Sequence, residues 1–283
     1  MSRRSNVTLS DRAFSVWGVL VLVFLFLPIA VVIVSSFNVG RLLVSWDHFG
    51  FESFLALFTK AAVRDAVWVS VSTGFVAALV ATLLGALAGL AMARHPGKWQ
   101  LWLLGLLLLV SVTPEIVDAV ALLPWMVVLG QDAGLLLFND GIVRLVIGHS
   151  LFSVAVVAYL VRARLVGLDA KLEEASADLY ATPVTTLRRV TLPLAMPAVL
   201  AGFLLSFTLS LDNTVIAAFV SVSGSTPWPV YVLSALRSGL RPEIAAVSTI
   251  MLVLTLVALA LVALVLKRAG DSAADIARTM SGG

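Results

Sequence analysis

Long apolar runs separated by short charged segments dominate this sequence of 283 residues. Runs of about 20 apolar residues, the length that a helix needs to cross a bilayer, lie at roughly 14–36, 66–93, 101–123, 142–161, 198–220 and 244–266. This pattern predicts an all-α integral membrane protein with six transmembrane helices. It divides the chain into an N-terminal segment 1–13, a transmembrane domain 14–266 that includes a polar loop 162–197, and a tail 267–283.

The composition and the distribution of charge support this topology and orient it. The chain is 60% hydrophobic and only 12% charged, whereas soluble domains carry about 25% charged residues. Of the 19 Lys and Arg residues, thirteen fall on the side that holds both ends of the chain and the loop 162–197. The other six are Arg41, Lys60, Arg64, Arg144, Arg237 and Arg241. Because cytoplasmic loops carry the excess of basic residues, both termini and the loop 162–197 are predicted to be cytoplasmic.

Two of the predicted helices contain informative interruptions. The third apolar run is broken by Thr113-Pro114-Glu115, so its helix either ends there or bends. The second run contains Gly85 and Gly89, a spacing that lets membrane helices approach closely. Glycine is also frequent in membrane helices without such a role, so both interpretations stay open for this pair.

Several classes of chemistry find no support in the sequence. There is no cysteine, and therefore no disulfide or thiol chemistry. There is no GxxxxGK[ST] phosphate loop, so the chain is not expected to bind ATP itself. The three histidines, His48, His95 and His149, lack metal-ligand spacing. No basic run with interleaved aromatics indicates nucleic acid. We therefore predict no catalytic residues, no metal site and no nucleic acid partner.

The stretch Leu172–Gly202 is the long polar passage between two apolar runs. Leu172, Ala175 and Leu179 fall on one face of a short amphipathic helix, for which Asp169 can cap the first turn. Thr182-Pro183 is a second helix start, so two short helices should meet at a bend near Tyr180. Pro193 and Pro197 follow at the entry to the next apolar helix. An ordinary amphipathic cytoplasmic loop would account for the same pattern.

This stretch resembles the EAA loop of the inner-membrane permease subunits of bacterial ABC importers. The matching residues are Glu174, Ala175, Asp178, Leu179, Leu192 and Pro193. The segments EEASADL, LRRVTLPLAMPAV and LSFTLSLDN are similar to the C-type permease subunit of spermidine/putrescine importers. The resemblance implies a type I ABC importer permease fold in the bacterial inner membrane, and a loop that couples to an ATPase.

The residues implied in ATPase coupling are Glu173, Glu174, Ala175, Ser176, Asp178, Leu179, Tyr180, Leu192 and Pro193. Two of them depart from the family pattern. Ser176 stands at the position of the third small residue, which is a mild departure, and Tyr180 stands where the family has the loop glycine. Tyr180 must therefore bend with a negative φ or adopt an uncommon backbone conformation.

Ionisable residues inside apolar segments are costly and are functional candidates by default. Glu115 and Asp118 share one helix face, and Asp212 lies late in the fifth predicted helix beside Ser210 and Asn213. Such groups suit a pathway for cations, since carboxylates replace part of the water that an ammonium group loses. The alternatives are an outer helix end for the first pair and a structural hydrogen-bond partner for Asp212. Asn213 also stands where the family leads us to expect a second acid.

The resemblance further implies a set of partners and a mechanism. The partners are a second homologous permease subunit, a cytoplasmic ATPase dimer that holds ATP and Mg, a periplasmic or lipid-anchored substrate-binding protein, and membrane lipid. The chain itself would bind no cofactor and would form half of a translocation pathway that works by alternating access. A polyamine is the first expected substrate, and another small organic cation or a metal complex is the second. The rival classes are a self-contained channel or secondary transporter, whose usual internal repeat is not evident here, and a membrane enzyme.

Overall fold

The structure is a computed structural model that describes residues 9–40, 42–43, 45–95, 97–167 and 171–268. The predicted cap Asp169 and nearly all of the predicted tail lie outside the described residues. The helices are α1 (Leu9–Ser35), α2 (Ala56–Thr59), α3 (Ala61–Arg94), α4 (Lys98–Val112), α5 (Glu115–Val127), α6 (Gly141–Val166), α7 (Lys171–Asp178), α8 (Pro183–Thr186), α9 (Leu192–Asp212), α10 (Val215–Val220), α11 (Trp228–Ser238) and α12 (Pro242–Arg268). The two strands are β1 (Asn38–Val39) and β2 (His48–Phe49).

In the part of the chain that the structure describes, five helices are long and apolar enough to span a membrane. They are α1 from Phe14, α3, α6, the continuous helix Pro183–Asp212, and α12. A sixth candidate span is the pair Lys98–Val112 and Glu115–Asp132, which meet at an angle of 103°. The predicted interruption of the third run is therefore confirmed: α4 ends there, and the chain bends into α5. The cause of the bend is Pro114, which lacks an N–H and holds Thr113 in an extended conformation with ψ 128°.

The fifth predicted helix, 198–220, has different limits in the structure. The helix begins at Pro183, passes through a π turn at Leu187–Thr191, and continues as α9 to Asp212. The predicted continuation to residue 220 is wrong, because Asn213 ends the helix. Its side-chain Oδ1 accepts a hydrogen bond from the Ile216 N–H at 3.1 Å. Asn commonly forms such local bonds to the backbone, and here the bond helps to start the short helix α10.

The chain forms two compact units, of which the smaller combines the residues up to Ala61 with Ala235–Val253. Its described part contains the antiparallel pair of β1 and β2. The ring of Phe37 packs against those of Phe49, Phe51 and Phe54, with centroids 5.3–5.5 Å apart. Asn38 is fully buried and bonds to the backbone of Ser45 and Asp47. This aromatic segment between the first two spans is thus a folded element.

The larger unit combines Ala62–Ser234 with the chain from Leu254 onwards. At its centre α6 packs against α9, and the core there contains Val157, Val161, Leu165, Ala195, Ala198, Ala201, Val262 and Leu266. Close packing by Gly85 and Gly89 is confirmed. A Cβ added to Gly85 would lie 2.6 Å from the Cβ of Val157, and one added to Gly89 would lie 2.7 Å from the carbonyl oxygen of Ala158. Hence α3 and α6 approach at a distance that only glycine permits.

Candidate functional site

The loop between α6 and α9 contains two short helices, α7 and α8, joined by a tight turn at Tyr180. Tyr180 has a φ of 59° and is the only non-glycine residue with positive φ among those described. Its N–H bonds to the Ala177 carbonyl at 2.8 Å, and the Ala181 N–H bonds to the Ser176 carbonyl at 3.1 Å. This pair of bonds is the Schellman arrangement, in which glycine is the usual left-handed residue. Of the two alternatives for Tyr180, a bend with negative φ or an uncommon backbone conformation, the structure has the second.

The second short helix starts where the sequence predicts. Thr182 adopts an extended backbone, and its Oγ1 accepts a hydrogen bond from the Thr185 N–H at 3.3 Å. Pro183 follows at the first helical position, where its missing N–H costs nothing. The hydroxyls of Ser176 and Thr186 lie 2.9 Å apart and hold α7 against α8. The two helices therefore form one bonded unit.

The turn carries an apolar tip that this chain leaves uncovered. The exposed fraction is 81% for Leu179, 96% for Tyr180 and 72% for Val184. Leu172 is also exposed. Exposed apolar side chains that cluster at one place indicate a surface that binds a partner.

The coupling residues predicted from the sequence divide between the outside and the inside of this loop. Glu174, Ala175 and Asp178 are exposed on α7, as are Leu192 and Pro193 at the start of α9. Glu174 has no ion pair or hydrogen bond to any described residue. Glu173 is only half-exposed, because it points back towards the rest of the larger unit.

Glu173 makes the strongest polar contacts of the loop. Its Oε1 lies 2.9 Å from the Nε of Arg94, the last residue of α3. The same oxygen accepts a hydrogen bond from the Thr191 hydroxyl at 2.5 Å. These groups line a cleft of about 470 Å³ that is bounded by α3, α7, α8 and the π turn. This contact is not evident from the sequence, although the predicted topology has Arg94 and the loop on the same side of the membrane.

The predicted pathway residues are also separated by the structure. Asp212 is exposed at the end of α9, and Asn213 caps the start of α10. Ser210 is buried, and its hydroxyl lies 2.6 Å from the Nδ1 of His149 on α6. It therefore does not share the exposed surface of Asp212. The His149 contact was missed, because nothing in a single sequence pairs residues 61 positions apart.

Glu115 and Asp118 occupy the first turn of α5, directly after the bend at Pro114. Glu115 is exposed and Asp118 is half-buried. The amide groups at a helix N-terminus favour negative charge, so this position lowers the cost of placing the two carboxylates there. No hydrogen bond or ion pair joins either of them to Asp212 in the described part of the chain.

Comparisons with known proteins agree on the class of this chain. The family described as "Binding-protein-dependent transport system inner membrane component" matches residues 81–273. The spermidine/putrescine transport system permease protein PotC of Haemophilus influenzae is 36% identical over 87% of this chain and 93% of its own length. The putrescine transport system permease protein PotI of Escherichia coli K12 is 34% identical over 84% of this chain and 86% of its own length.

A solved structure of a bacterial alginate ABC transporter, in complex with alginate pentasaccharide-bound periplasmic protein, has the same fold. It covers 90% of this chain and 93% of its own chain, with a TM-score of 0.64 and 16% identity. At this identity the likeness establishes the fold alone, and it confirms the predicted type I permease architecture. The orientation of the termini stays a prediction.

Proposed function

Because this chain belongs to the family of inner membrane components of binding-protein-dependent transport systems, we propose that it transports a polyamine, spermidine or putrescine. It is a multi-pass inner membrane protein and a transport subunit of an ABC importer, and it is not itself an enzyme. The observation that carries the substrate assignment is the identity of 36% to PotC of Haemophilus influenzae over 87% of this chain.

The proposed assembly contains a second homologous permease subunit, two copies of a cytoplasmic ATPase that hold ATP and Mg, and a periplasmic or lipid-anchored binding protein. The exposed tip of Leu179, Tyr180 and Val184 supports the contact with the ATPase, because an apolar surface of this kind is stabilised by burial against a partner. Glu174 and Asp178 beside it supply charges for that interface.

In this mechanism the ATPases draw together on binding ATP and move α7 and α8. The helix that begins at Pro183 is continuous to Asp212, so the movement reaches the pathway along a single helix. Asp212 is exposed at its far end and would stabilise the ammonium groups of a passing polyamine. Alternating access follows if the pathway opens first near one end of this helix and then near the other.

Uptake measurements in the native host test the proposal. Deleting the gene should lower uptake of radiolabelled spermidine or putrescine, and restoring the intact gene should recover it. Unchanged polyamine uptake would instead point to another small organic cation or a metal complex. If no ATPase co-purifies with the chain, the importer assembly is wrong and a self-contained channel or secondary transporter replaces it.

Two variants of α7 test the coupling role. Glu174→Ala removes an exposed charge and Ala175→Trp adds bulk to the exposed helix surface, so each should lower substrate uptake per ATP hydrolysed or release the ATPase. Glu52→Gln, an exposed acidic position in the smaller unit, is the matched control and should behave like the intact protein. Normal assembly and uptake in both α7 variants would remove α7 from the ATPase interface.

A further inference from the structure

A single carboxylate, that of Glu173, joins three separate elements behind the exposed tip. Glu173 lies on α7, its ion-pair partner Arg94 ends α3, and its hydrogen-bond donor Thr191 belongs to the π turn before α9. The contacts are short, at 2.9 Å and 2.5 Å. The hydrogen bond from the Thr191 hydroxyl to the Glu173 carboxylate is charge-assisted and so stronger than a neutral one, and the contact with Arg94 is an ion pair.

The contact is shielded from solvent, unlike an ordinary surface ion pair. The exposed fraction is 19% for the Arg94 side chain and 27% for the Glu173 side chain, and Thr191 is buried. Exposed ion pairs contribute little, because water and salt screen them. Here the low exposure reduces that screening, so the three elements are held together more firmly than by a surface pair.

Thr191 lies where the long helix departs from α-helical hydrogen bonding. The backbone at Leu187–Thr191 forms a π turn rather than an α-helical turn. Two residues later Pro193 lacks the N–H that would bond to the carbonyl of Arg189. Single π turns inside helices occur frequently at functional sites. A pull on Thr191 therefore acts where the helix changes its hydrogen-bond pattern most easily.

Glu173 lines the cleft together with Val184, whereas the tip residues Leu179 and Tyr180 do not line it. Leu179 and Tyr180 are almost fully exposed, and the carboxylate of Glu173 contacts Arg94 and Thr191. A partner that docks on Leu179 and Tyr180 thus leaves Glu173 free to hold α3 and α9. The cleft of about 470 Å³ beside it gives the side chains room to rearrange.

We propose that Glu173 is a positioning residue that transmits the movement of α7 to α3 and α9 through Arg94 and Thr191, without contacting the ATPase. This inference rests on the proposed function, since it requires an ATPase that moves α7. The continuous helix behind Thr191 extends 21 residues from Leu192 to Asp212, or about 30 Å at 1.5 Å per residue. Movement at Thr191 therefore reaches the opposite end of the membrane span.

The first test compares uptake and ATP hydrolysis in the assembled complex. Glu173→Gln, Arg94→Gln and Thr191→Val each remove one part of the network with little change in shape. Each should assemble and hydrolyse ATP, while substrate carried per ATP falls about tenfold. The double variant Arg94→Glu with Glu173→Arg reverses the ion pair and should recover the ratio to within about twofold of the intact protein. Glu52→Gln is again the control.

A second readout does not depend on the identity of the substrate. The chain contains no cysteine, so Ala218→Cys places a single thiol at an exposed position on α10, just beyond α9. Its labelling rate with a maleimide should change when ATP is added to the complex, and Glu173→Gln should abolish that change. If polyamine uptake fails in the intact protein but this ATP response is present, only the substrate assignment is lost.

Two results would overturn the positioning role, and a third would exclude the ion pair as its route. One is an unchanged uptake-to-ATP ratio together with poor assembly, which is the outcome of a purely structural contact. The other is a normal ATP response of the Ala218→Cys thiol in the Glu173→Gln background. Failure of the charge reversal to recover coupling, with full assembly, would also exclude transmission through the ion pair.

Discussion

At the scale of single residues, Tyr180 combines a strained backbone with a functional position. A residue with a side chain in the left-handed region costs roughly 1–2 kcal/mol, and the Schellman turn at the end of α7 requires that region. The side chain is 96% exposed, so packing of the ring against the described part of the chain does little to offset the strain. Strain of this kind persists where it serves function, which is consistent with a role at the partner interface.

Tyr180→Gly should therefore be tolerated. Glycine adopts φ 59° without strain, while its more flexible unfolded chain offsets part of that gain, so stability should change by no more than about 1 kcal/mol. ATPase activity of the assembled complex is the measurement. Tyr180→Val is the informative control, because a β-branched residue is least compatible with positive φ. Loss of assembly with glycine would show that the tyrosine ring itself anchors the ATPase.

A second prediction at this scale concerns Asp212. Asp212→Asn keeps the shape and removes the charge, so uptake of spermidine should fall roughly fivefold, the effect of about 1 kcal/mol. Assembly and the affinity of the binding protein should stay the same. Uptake must be measured per assembled complex, because a structural role would lower assembly and leave the rate of each complex intact. Asp212→Ala is less clean, since it also removes hydrogen-bonding capacity.

At the scale of elements, the membrane spans could be predicted from the sequence, and their irregularities could be predicted only in part. The length of an apolar run identifies a span, because the thickness of the bilayer fixes that length. Pro114 indicated the interruption between α4 and α5. The end of the fifth span at Asp212 was missed, because a polar pair within an apolar run can also continue a helix. Only the local bond of the Asn213 side chain to the Ile216 N–H stops it.

The candidate site was predictable to a similar degree. The loop, its two helix starts and the unusual Tyr180 follow from local sequence, because caps and turns depend on residues a few positions apart. Glu173 and Arg94 are 79 positions apart, and only the packing of α3 beside α7 brings them together. Ser210 was predicted to line the pathway because a polar residue in a membrane helix can either face a pathway or bond to another helix. In the structure it is buried, and its hydroxyl contacts His149.

The contact between α3 and α6 gives a prediction for whole elements. A Cβ at Gly85 would approach the backbone oxygen of Val154 to 2.7 Å, and the backbone cannot move aside as a side chain could. Gly85→Val should therefore separate the helices and cost about 1–3 kcal/mol. The matched control is Gly105→Val in α4, where an added Cβ meets nothing within 4 Å. Thermal unfolding in detergent should be lowered for the first variant and little changed for the second.

At the scale of the whole molecule, the proposed mechanism depends on which side of the membrane each loop occupies. An ATPase can reach the tip at Tyr180 only from the cytoplasm. The excess of Lys and Arg predicts that this loop is cytoplasmic, and the angle of 103° between α4 and α5 allows two paths for the chain. The pair either crosses the membrane as a broken span or returns to the side from which it entered.

Cysteine labelling distinguishes these two paths. Since the natural chain has no cysteine, Lys98→Cys and Asp132→Cys each introduce one exposed thiol, at opposite ends of the bent pair. A membrane-impermeant maleimide added from the periplasm should label Asp132→Cys and Glu52→Cys, and should reach Lys98→Cys only after the membrane is opened. Labelling of Lys98→Cys and Asp132→Cys from the same side would make α4 and α5 a re-entrant pair. If that pair does not cross, α6 runs in the opposite direction and its C-terminal end, with the loop at Tyr180, faces the periplasm, where no ATPase could act on it.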